Sequence, residues 1–164
     1  MIIISEATTK DIPLIQAIAY KTWPNTYGSI LSTAQLDYMM NLMYSDESLL
    51  KQMNGNPQFL LAYENEICLG FASCESDYQN KKCTRLHKLY ILPEFQGKGV
   101  GKLLIEKVLA LAKENHSGVV SLNVNKFNKA YTFYKKMGFE IIAEEDLEIG
   151  NGYLMEDYKM EKRL

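Results

Sequence analysis

The sequence predicts an α/β fold in which one mixed, mostly antiparallel sheet of six or seven strands is flanked by about four helices. Three observations lead to this prediction. Short β-branched runs alternate with segments of helical hydrophobic spacing, in the order β-α-α-β-β-β-α-β-α-β-β. Adjacent strand candidates are joined by short turns, as in antiparallel hairpins. The 164 residues contain no repeat, linker or low-complexity segment, so residues 1–164 are expected to form a single domain.

The N-terminal elements follow from the spacing of apolar residues. The β-branched run at 2–7 predicts a strand, and capping residues at 8–11 predict that a helix begins near Ile12. The stretch "TWPNTYGS" at 22–29 contains Pro24 and is expected to end that helix. The next two amphipathic segments predict helices at 32–44 and 45–53.

The C-terminal elements are predicted in the same way. Two apolar runs joined by Glu64 and Asn65 predict a hairpin. After a polar loop, residues 84–92 predict a further strand. A helix with an apolar face is expected from Gly99 to Asn115. The remaining elements are a strand at 119–124, a helix within 128–138 that Gly138 ends, and a closing hairpin of 140–149 with 153–162 around "GNG".

The composition excludes several classes of protein. A net charge of −2 argues against a nucleic-acid binder, and no apolar run approaches the length of a membrane span. The start of the chain lacks the pattern of an export signal. Three cysteines without CxxC spacing are typical of reduced thiols in a cytoplasmic protein, and the presence of only two histidines argues against a metal site.

The stretch "LPEFQGKGVGKL" at 92–103 carries the clearest chemical signal. Its glycines lie between a predicted strand and a predicted helix, where backbone N–H groups and the helix dipole form an anion site. A P-loop is excluded because Leu103 follows Gly101-Lys102 where Ser or Thr is required. The Rossmann pattern is excluded because its third glycine comes one residue early. A phosphate site and a glycine-rich turn without a ligand both remain open on this stretch alone.

A second motif favours the phosphate site over a glycine-rich turn without a ligand. Gln96-x-x-Gly99-x-Gly101 resembles the acetyl-CoA-binding motif of the GCN5-related N-acetyltransferases (GNAT family), and "NKAYTFYKKMGF" at 128–139 resembles that family's second landmark. The two motifs occur in the family's order. The resemblance covers the whole chain in length and element order. It implies a sheet that is splayed to admit acetyl-CoA, and an enzyme that moves an acetyl group to a primary amine by direct attack in a ternary complex.

The resemblance also implies which residues hold acetyl-CoA. The pyrophosphate is expected on the backbone N–H groups of Gln96, Gly97, Lys98, Gly99, Val100, Gly101 and Lys102. The pantetheine arm is expected along Leu89, Tyr90 and Ile91, with Asn123 nearby on the next strand, and a backbone N–H near Leu89 would polarise the thioester carbonyl. Asn128 resembles the family asparagine that touches the coenzyme arm, and Asn125 is the alternative.

Two residues are candidates for proton transfer. Tyr134 matches the helix tyrosine that the family uses to protonate the departing thiolate, and an unperturbed tyrosine is protonated at neutral pH. His87 is the candidate general base because strand alternation would place it on the same face as Leu89 and Ile91, where the arylalkylamine acetyltransferases keep a histidine. A water chain is the alternative to His87.

The acceptor site is the part that the resemblance describes least. The family builds it from the first helices and the closing hairpin, which implies Trp23, Tyr27 and Tyr38, with acidic residues such as Glu75, Glu145 and Asp146. The identity of the amine, a small molecule or a peptide, stays open. A homodimer through the closing hairpin is one alternative for the oligomeric state. The alternatives to an enzyme are a non-catalytic acyl-CoA-binding regulatory domain of the same fold and a nucleotide-binding module.

Overall fold

The computed structural model describes residues 1–164 and contains seven strands and five α-helices. The N-terminal elements are β1 (Ile2–Glu6), α1 (Ile12–Tyr27), α2 (Thr33–Tyr44), α3 (Asp46–Met53), β2 (Gln58–Glu64) and β3 (Ile67–Glu75). The C-terminal elements are β4 (Cys83–Ile91), α4 (Val100–Glu114), β5 (Val119–Asn125), α5 (Ala130–Lys136), β6 (Glu140–Glu148) and β7 (Leu154–Arg163). The predicted elements are confirmed, including the short helix expected at 45–53, which is α3. The helices therefore number five, one more than the predicted element order counts.

All seven strands form one sheet, in the order β1-β2-β3-β4-β5-β7-β6. Every neighbouring pair is antiparallel except β4 and β5, which are parallel. Parallel neighbours require a crossover connection, and α4 provides it. The predicted mixed, mostly antiparallel sheet is therefore confirmed.

The sheet opens between β4 and β5. Their pairing runs only from Cys83 with Val119 to Leu86 with Leu122. Both strands continue beyond this point, β4 to Ile91 and β5 to Asn125, without pairing to each other. The two strands therefore diverge and leave a gap at their C-terminal ends.

Helices cover the sheet on both faces, and each face has its own core. One cluster of 17 buried residues joins the sheet to α4 and α5. A second cluster of 16 buried residues joins the opposite face to α1, α2 and α3. None of the helices has both the length and the apolar character that crossing a membrane would require.

Helix α1 is longer than the sequence predicts, because Pro24 lies inside it and does not end it. Ile15, Ala19, Trp23 and Tyr27 follow one another at four-residue intervals, and all four are buried in the same core. Proline in a helix interior costs about 3 kcal/mol. Burial of Trp23 and Tyr27 stabilises the folded state by roughly 1.5–3 kcal/mol for each side chain, which offsets this cost. Tertiary packing therefore keeps this segment helical.

Candidate active site

The N-terminus of α4 is open and unusually free of side chains. The first intrahelical bond at this end runs from the Leu103 N–H to the Gly99 carbonyl, so the N–H groups of Val100, Gly101 and Lys102 have no partner within the helix. No side chain caps this end. Free N–H groups at the start of a 15-residue helix, together with the helix dipole, attract an anion.

The conformation of the loop explains why it contains glycines. Gly97 and Gly99 have φ values of +80° and +81°, in the left-handed region that side-chain-bearing residues rarely adopt. A Cβ added to either residue would meet no atom within 4 Å, so it would project into open space. Both glycines line the cavity described below, so a side chain at either position would take up space beside the free N–H groups. This cradle fits the pyrophosphate that the sequence motif predicts.

The gap between β4 and β5 offers unpaired backbone groups. The Leu92 N–H bonds to Leu69 on β3. Since alternate residues of a strand direct their N–H groups to the same side, those of Leu89 and Ile91 face the gap. The Ile91 carbonyl accepts a bond from Gln96 Nε2 at 3.1 Å, which ties the glycine loop to the end of β4. An extended acyl chain could therefore pair with this strand as an additional strand would.

Tyr134 lies on α5 beside this gap. Its ring packs edge-on against Phe133 and Phe139, at centroid distances of 5.4 and 5.9 Å. The hydroxyl has no hydrogen-bond partner within the protein, and burial raises the pKa of Tyr134 well above the usual value of 10. The side chain is therefore held in its protonated form, with its O–H group available to a ligand.

The start of α5 is organised by two asparagines. Asn128 Oδ1 accepts the Ala130 N–H at 2.9 Å, and Asn128 Nδ2 lies 3.5 Å from the Tyr27 hydroxyl. Asn125 Oδ1 accepts the Phe127 N–H at 2.9 Å, and its side chain is buried. Asn128 lines the cavity described next, whereas Asn125 does not. Of the two asparagines, only Asn128 is in a position to touch a ligand there.

A cavity of about 730 Å³ brings these features together. It is lined by eleven of the predicted residues: Leu89, Tyr90, Ile91, Gln96, Gly97, Gly99, Val100, Gly101, Lys102, Asn128 and Tyr134. Its wall also contains residues that the sequence did not single out, namely Thr22, Asn25, Thr26, Ser29, Ile30, Phe95, Phe127, Lys129, Ala130 and Phe133. The sequence predicts that residues 22–29 break the helix, so the wall residues from 22 to 30 were not considered as part of a site. In the structure this segment forms the last turns of α1 and the residues after them.

Two predicted coenzyme contacts do not line the cavity. Lys98 is exposed, with its Nζ 5.4 Å from the centre of the Phe95 ring. The Asn123 side chain bonds to Glu145 and Asp157 on the closing hairpin. Neither side chain contributes to the wall of the cavity.

His87 is not on the strand face that alternation predicts. Ser73 of β3 pairs with Lys88 and the next residue, Cys74, pairs with Leu86, so His87 is an extra residue without a partner on β3. This bulge interrupts the alternation, and Leu86 and Leu89 pack in the same core cluster although they are three residues apart. His87 Nε2 lies 2.9 Å from Glu75 Oε1, and its ring contacts Tyr78. His87 is absent from the cavity wall.

The environment of His87 predicts how stability depends on pH. Burial lowers the pKa of His87 below its usual value and outweighs the bond to Glu75. Because the unfolded chain then binds more protons, the stability that this residue contributes is complete above about pH 6.5 and is lost as the pH falls through the lowered pKa. Urea unfolding between pH 5 and 8 should therefore show that the free energy of unfolding falls more steeply toward acid pH in wild type than in His87→Gln. If the free energy of unfolding had the same pH dependence in both proteins, the prediction would be wrong.

Four of the six predicted acceptor residues do not meet in one site, although the rings of Trp23 and Tyr27 lie 4.6 Å apart. Trp23 is a core residue, 2% exposed, and its Nε1 donates to the Tyr44 hydroxyl at 3.3 Å. Tyr27 is buried behind the cavity, with its hydroxyl 3.4 Å from that of Tyr90. Tyr38 donates to the Ile149 carbonyl and ties α2 to the turn of the closing hairpin. Glu75 is paired with His87. None of the four lines the cavity.

Comparison with known families and proteins agrees with the geometry of the site. The family model for the acetyltransferase (GNAT) domain matches residues 31–162. An uncharacterized N-acetyltransferase of Methanocaldococcus jannaschii, MJ1207, is 31% identical over 77% of this chain, which spans half of that relative's length. The spermidine N(1)-acetyltransferase of Thermoplasma acidophilum is 29% identical over 93% of this chain and 94% of its own.

Solved structures give the same result. The crystal structure of the PaiA N-acetyltransferase from Thermoplasma acidophilum in complex with coenzyme A superimposes with a TM-score of 0.85 and 26% identity. That superposition covers 100% of this chain and 99% of the other. These matches favour the catalytic interpretation over the non-catalytic acyl-CoA-binding domain. The chain therefore belongs to the GNAT family of N-acetyltransferases, as its two motifs predict.

Proposed function

We propose that this protein transfers the acetyl group of acetyl-CoA to a primary amine by direct attack of the amine on the thioester. One observation carries the proposal: the glycine cradle at the start of α4, the gap between β4 and β5 and the Tyr134 side chain all open into one cavity. An anion site, a slot for an extended chain and a proton donor are the three elements that a coenzyme A thioester requires.

The backbone of this chain would hold acetyl-CoA. The N–H groups of Val100, Gly101 and Lys102 would bind the pyrophosphate, and the positive φ of Gly97 and Gly99 keeps side chains away from it. The strand backbone at Leu89 and Ile91 would pair with the pantetheine arm. The Leu89 N–H would donate to the thioester carbonyl and stabilise the negative charge that develops on its oxygen.

Tyr134 would act as the general acid. The amine nitrogen forms a bond to the acetyl carbon of acetyl-CoA and the carbon–sulfur bond breaks. The nitrogen loses a proton to water, and the departing thiolate takes a proton from Tyr134, which solvent then reprotonates. The Tyr134 hydroxyl is protonated, free of protein partners and exposed to the cavity, which supports this assignment. No cysteine is placed as an acyl carrier, since none of Cys68, Cys74 and Cys83 lines the cavity. Cys68 and Cys74 are also buried, and burial raises the pKa of both thiols.

The acceptor would be a primary amine of a small molecule or peptide. The spermidine acetyltransferase that resembles this chain supports a cationic aliphatic amine as the first candidate. A cytoplasmic location, independence of metal ions, lack of binding to nucleic acid and membranes, and a homodimer through the closing hairpin remain predictions from the sequence.

The proposal is tested by measuring thiol release from acetyl-CoA in the presence of a panel of amines: spermidine, an aminoglycoside, a lysine-containing peptide and a peptide with a free N-terminus. We expect release above the rate of spontaneous hydrolysis with at least one of them. Calorimetry with coenzyme A is run in parallel. Clear coenzyme A binding without thiol release for any amine would contradict the proposed reaction and favour an acyl-CoA-binding domain.

A further inference from the structure

A second group of polar residues lies on the sheet beside the point where β4 and β5 separate. Asn123 is the first residue of β5 beyond the paired segment, and it lies next to Asp157 of β7. Asn123 Nδ2 donates to Glu145 Oε2 at 3.1 Å and to Asp157 Oδ2 at 3.4 Å. We call Asn123, Glu145 and Asp157 the hairpin acidic cluster.

The hairpin acidic cluster lacks hydrogen-bond donors. Asp157 is only 6% exposed, yet its Oδ1 has no partner, and Asn123 Oδ1 is also buried without one. The Asn123 amide points its Nδ2 at the two carboxylates. The flipped orientation is excluded because it would place Oδ1 against two negatively charged groups. A buried acceptor without a donor costs about 1–3 kcal/mol. Two such acceptors side by side indicate a site that a donor-rich group would complete.

The charges around the cluster identify the kind of group that would fit. Burial raises the pKa of Asp157, and the neighbouring Glu145 carboxylate raises it further. The Asn123 bond and the positive charges of Arg85 and Lys126 act in the opposite direction. No cation lies within ion-pair distance of Asp157, whereas Lys126 pairs with Glu144 at 3.7 Å. An ammonium group would supply both the missing donors and the missing positive charge.

Tyr27 lies between the charge of the cluster and the cavity wall only in an electrostatic sense: burial raises the pKa of Tyr27 and the Asp157 charge adds to it. The Tyr27 hydroxyl lies 3.4 Å from that of Tyr90 and 3.5 Å from Asn128 Nδ2, and both residues line the cavity. Asn125, the partner of Asp157 across the sheet, bonds to Met155 in the core beneath α1 and α2. The cluster therefore lies on the α1 and α2 face of the sheet, opposite the face covered by α4.

We infer that Asp157, together with Asn123 and Glu145, binds the ammonium group of a cationic acceptor amine at the place where β4 and β5 separate. The inference rests on the proposed acetyl transfer and names the residue that selects its acceptor. A protonated amine donates to the free oxygens of Asp157 and Asn123, and the two carboxylates balance its charge. Neutral nucleophiles of the same size leave these acceptors unpaired and bind less well.

The test compares Asp157→Asn with Glu156→Gln, and spermidine is the probe. Both variants remove one negative charge from β7, but Glu156 is exposed and the direction of its side chain is opposite to that of Asp157. We expect Asp157→Asn to raise the KM for spermidine about 10-fold to 100-fold. Glu156→Gln should keep the wild-type KM. The Kd of spermidine for the coenzyme A complex, measured by calorimetry, should rise by a similar factor in Asp157→Asn only.

Coenzyme A affinity separates this role from a loss of folding. Asp157→Asn should bind coenzyme A as wild type does, and Glu145→Gln serves as a second, half-buried variant that should raise the spermidine Kd in the same direction. Wild-type KM and Kd values in both Asp157→Asn and Glu145→Gln would overturn the inference while leaving acetyl transfer intact. Loss of spermidine binding in these variants, with no turnover in wild type, would instead support the ammonium site and reject the reaction.

Discussion

Replacing Gly99 with valine is expected to weaken coenzyme A binding by roughly 30-fold to 100-fold. Two effects add. A β-branched residue is strained at the φ of +81° that Gly99 adopts, and its side chain would project into the open space in front of the α4 N-terminus. A pyrophosphate could then no longer reach the free N–H groups of Val100 and Gly101. The Kd of coenzyme A measured by calorimetry checks this prediction.

Gly152→Val is the matched control. Gly152 has nearly the same φ, +79°, and a Cβ there would also meet no atom within 4 Å, but it lies in the turn of the closing hairpin. The control therefore carries the same backbone strain without obstructing the cradle. We expect both variants to lose similar folding stability and only Gly99→Val to lose coenzyme A affinity. Equal affinities in the two variants would exclude the loop as the pyrophosphate site.

Replacing Tyr134 with phenylalanine is expected to lower kcat by about 100-fold or more, because general acid catalysis contributes factors of this size. Phenylalanine keeps the ring that packs between Phe133 and Phe139 and removes only the hydroxyl. The Kd of coenzyme A should therefore stay near the wild-type value. Since burial raises the pKa of Tyr134, the wild-type enzyme should keep this acid protonated to alkaline pH. Steady-state kinetics at saturating acetyl-CoA measure the effect.

Tyr131→Phe provides the comparison on the same helix. The Tyr131 ring packs against Tyr158 at 5.7 Å and does not line the cavity, so its hydroxyl has no contact with the site. We expect the kcat of this variant to match that of wild type. A Tyr134→Phe enzyme as active as Tyr131→Phe would show that the thiolate takes its proton from another source, such as solvent.

The proposed acetyl-CoA side of the site is predictable from the sequence because it depends on residues that are close together in the chain. Gly97, Gly99 and Gln96 belong to one strand-loop-helix junction, where positive φ values and free N–H groups follow from local backbone geometry. Tyr134 is positioned by the short helix that its own motif describes. Eleven predicted residues consequently meet in one cavity.

The positions of the residues predicted for the acceptor side depend on strand register and on packing between distant segments. A single extra residue at His87 interrupts the alternation of β4 and directs this histidine to Glu75. The buried face of α1 overrides Pro24, and Trp23 becomes part of the core. Neither outcome can be derived from local preferences, since each reflects contacts made across the sheet.

By itself the sequence determined the fold class, the family and the glycine cradle proposed for acyl-CoA, since each depends on local patterns and short motifs. Only the tertiary structure decided which side chains surround the gap between β4 and β5. Asn123 and Asp157 are 34 residues apart in the chain, yet antiparallel pairing of β5 with β7 brings their side chains together. Asp157 Oδ1 is buried there without a hydrogen-bond partner, which no local sequence pattern indicates.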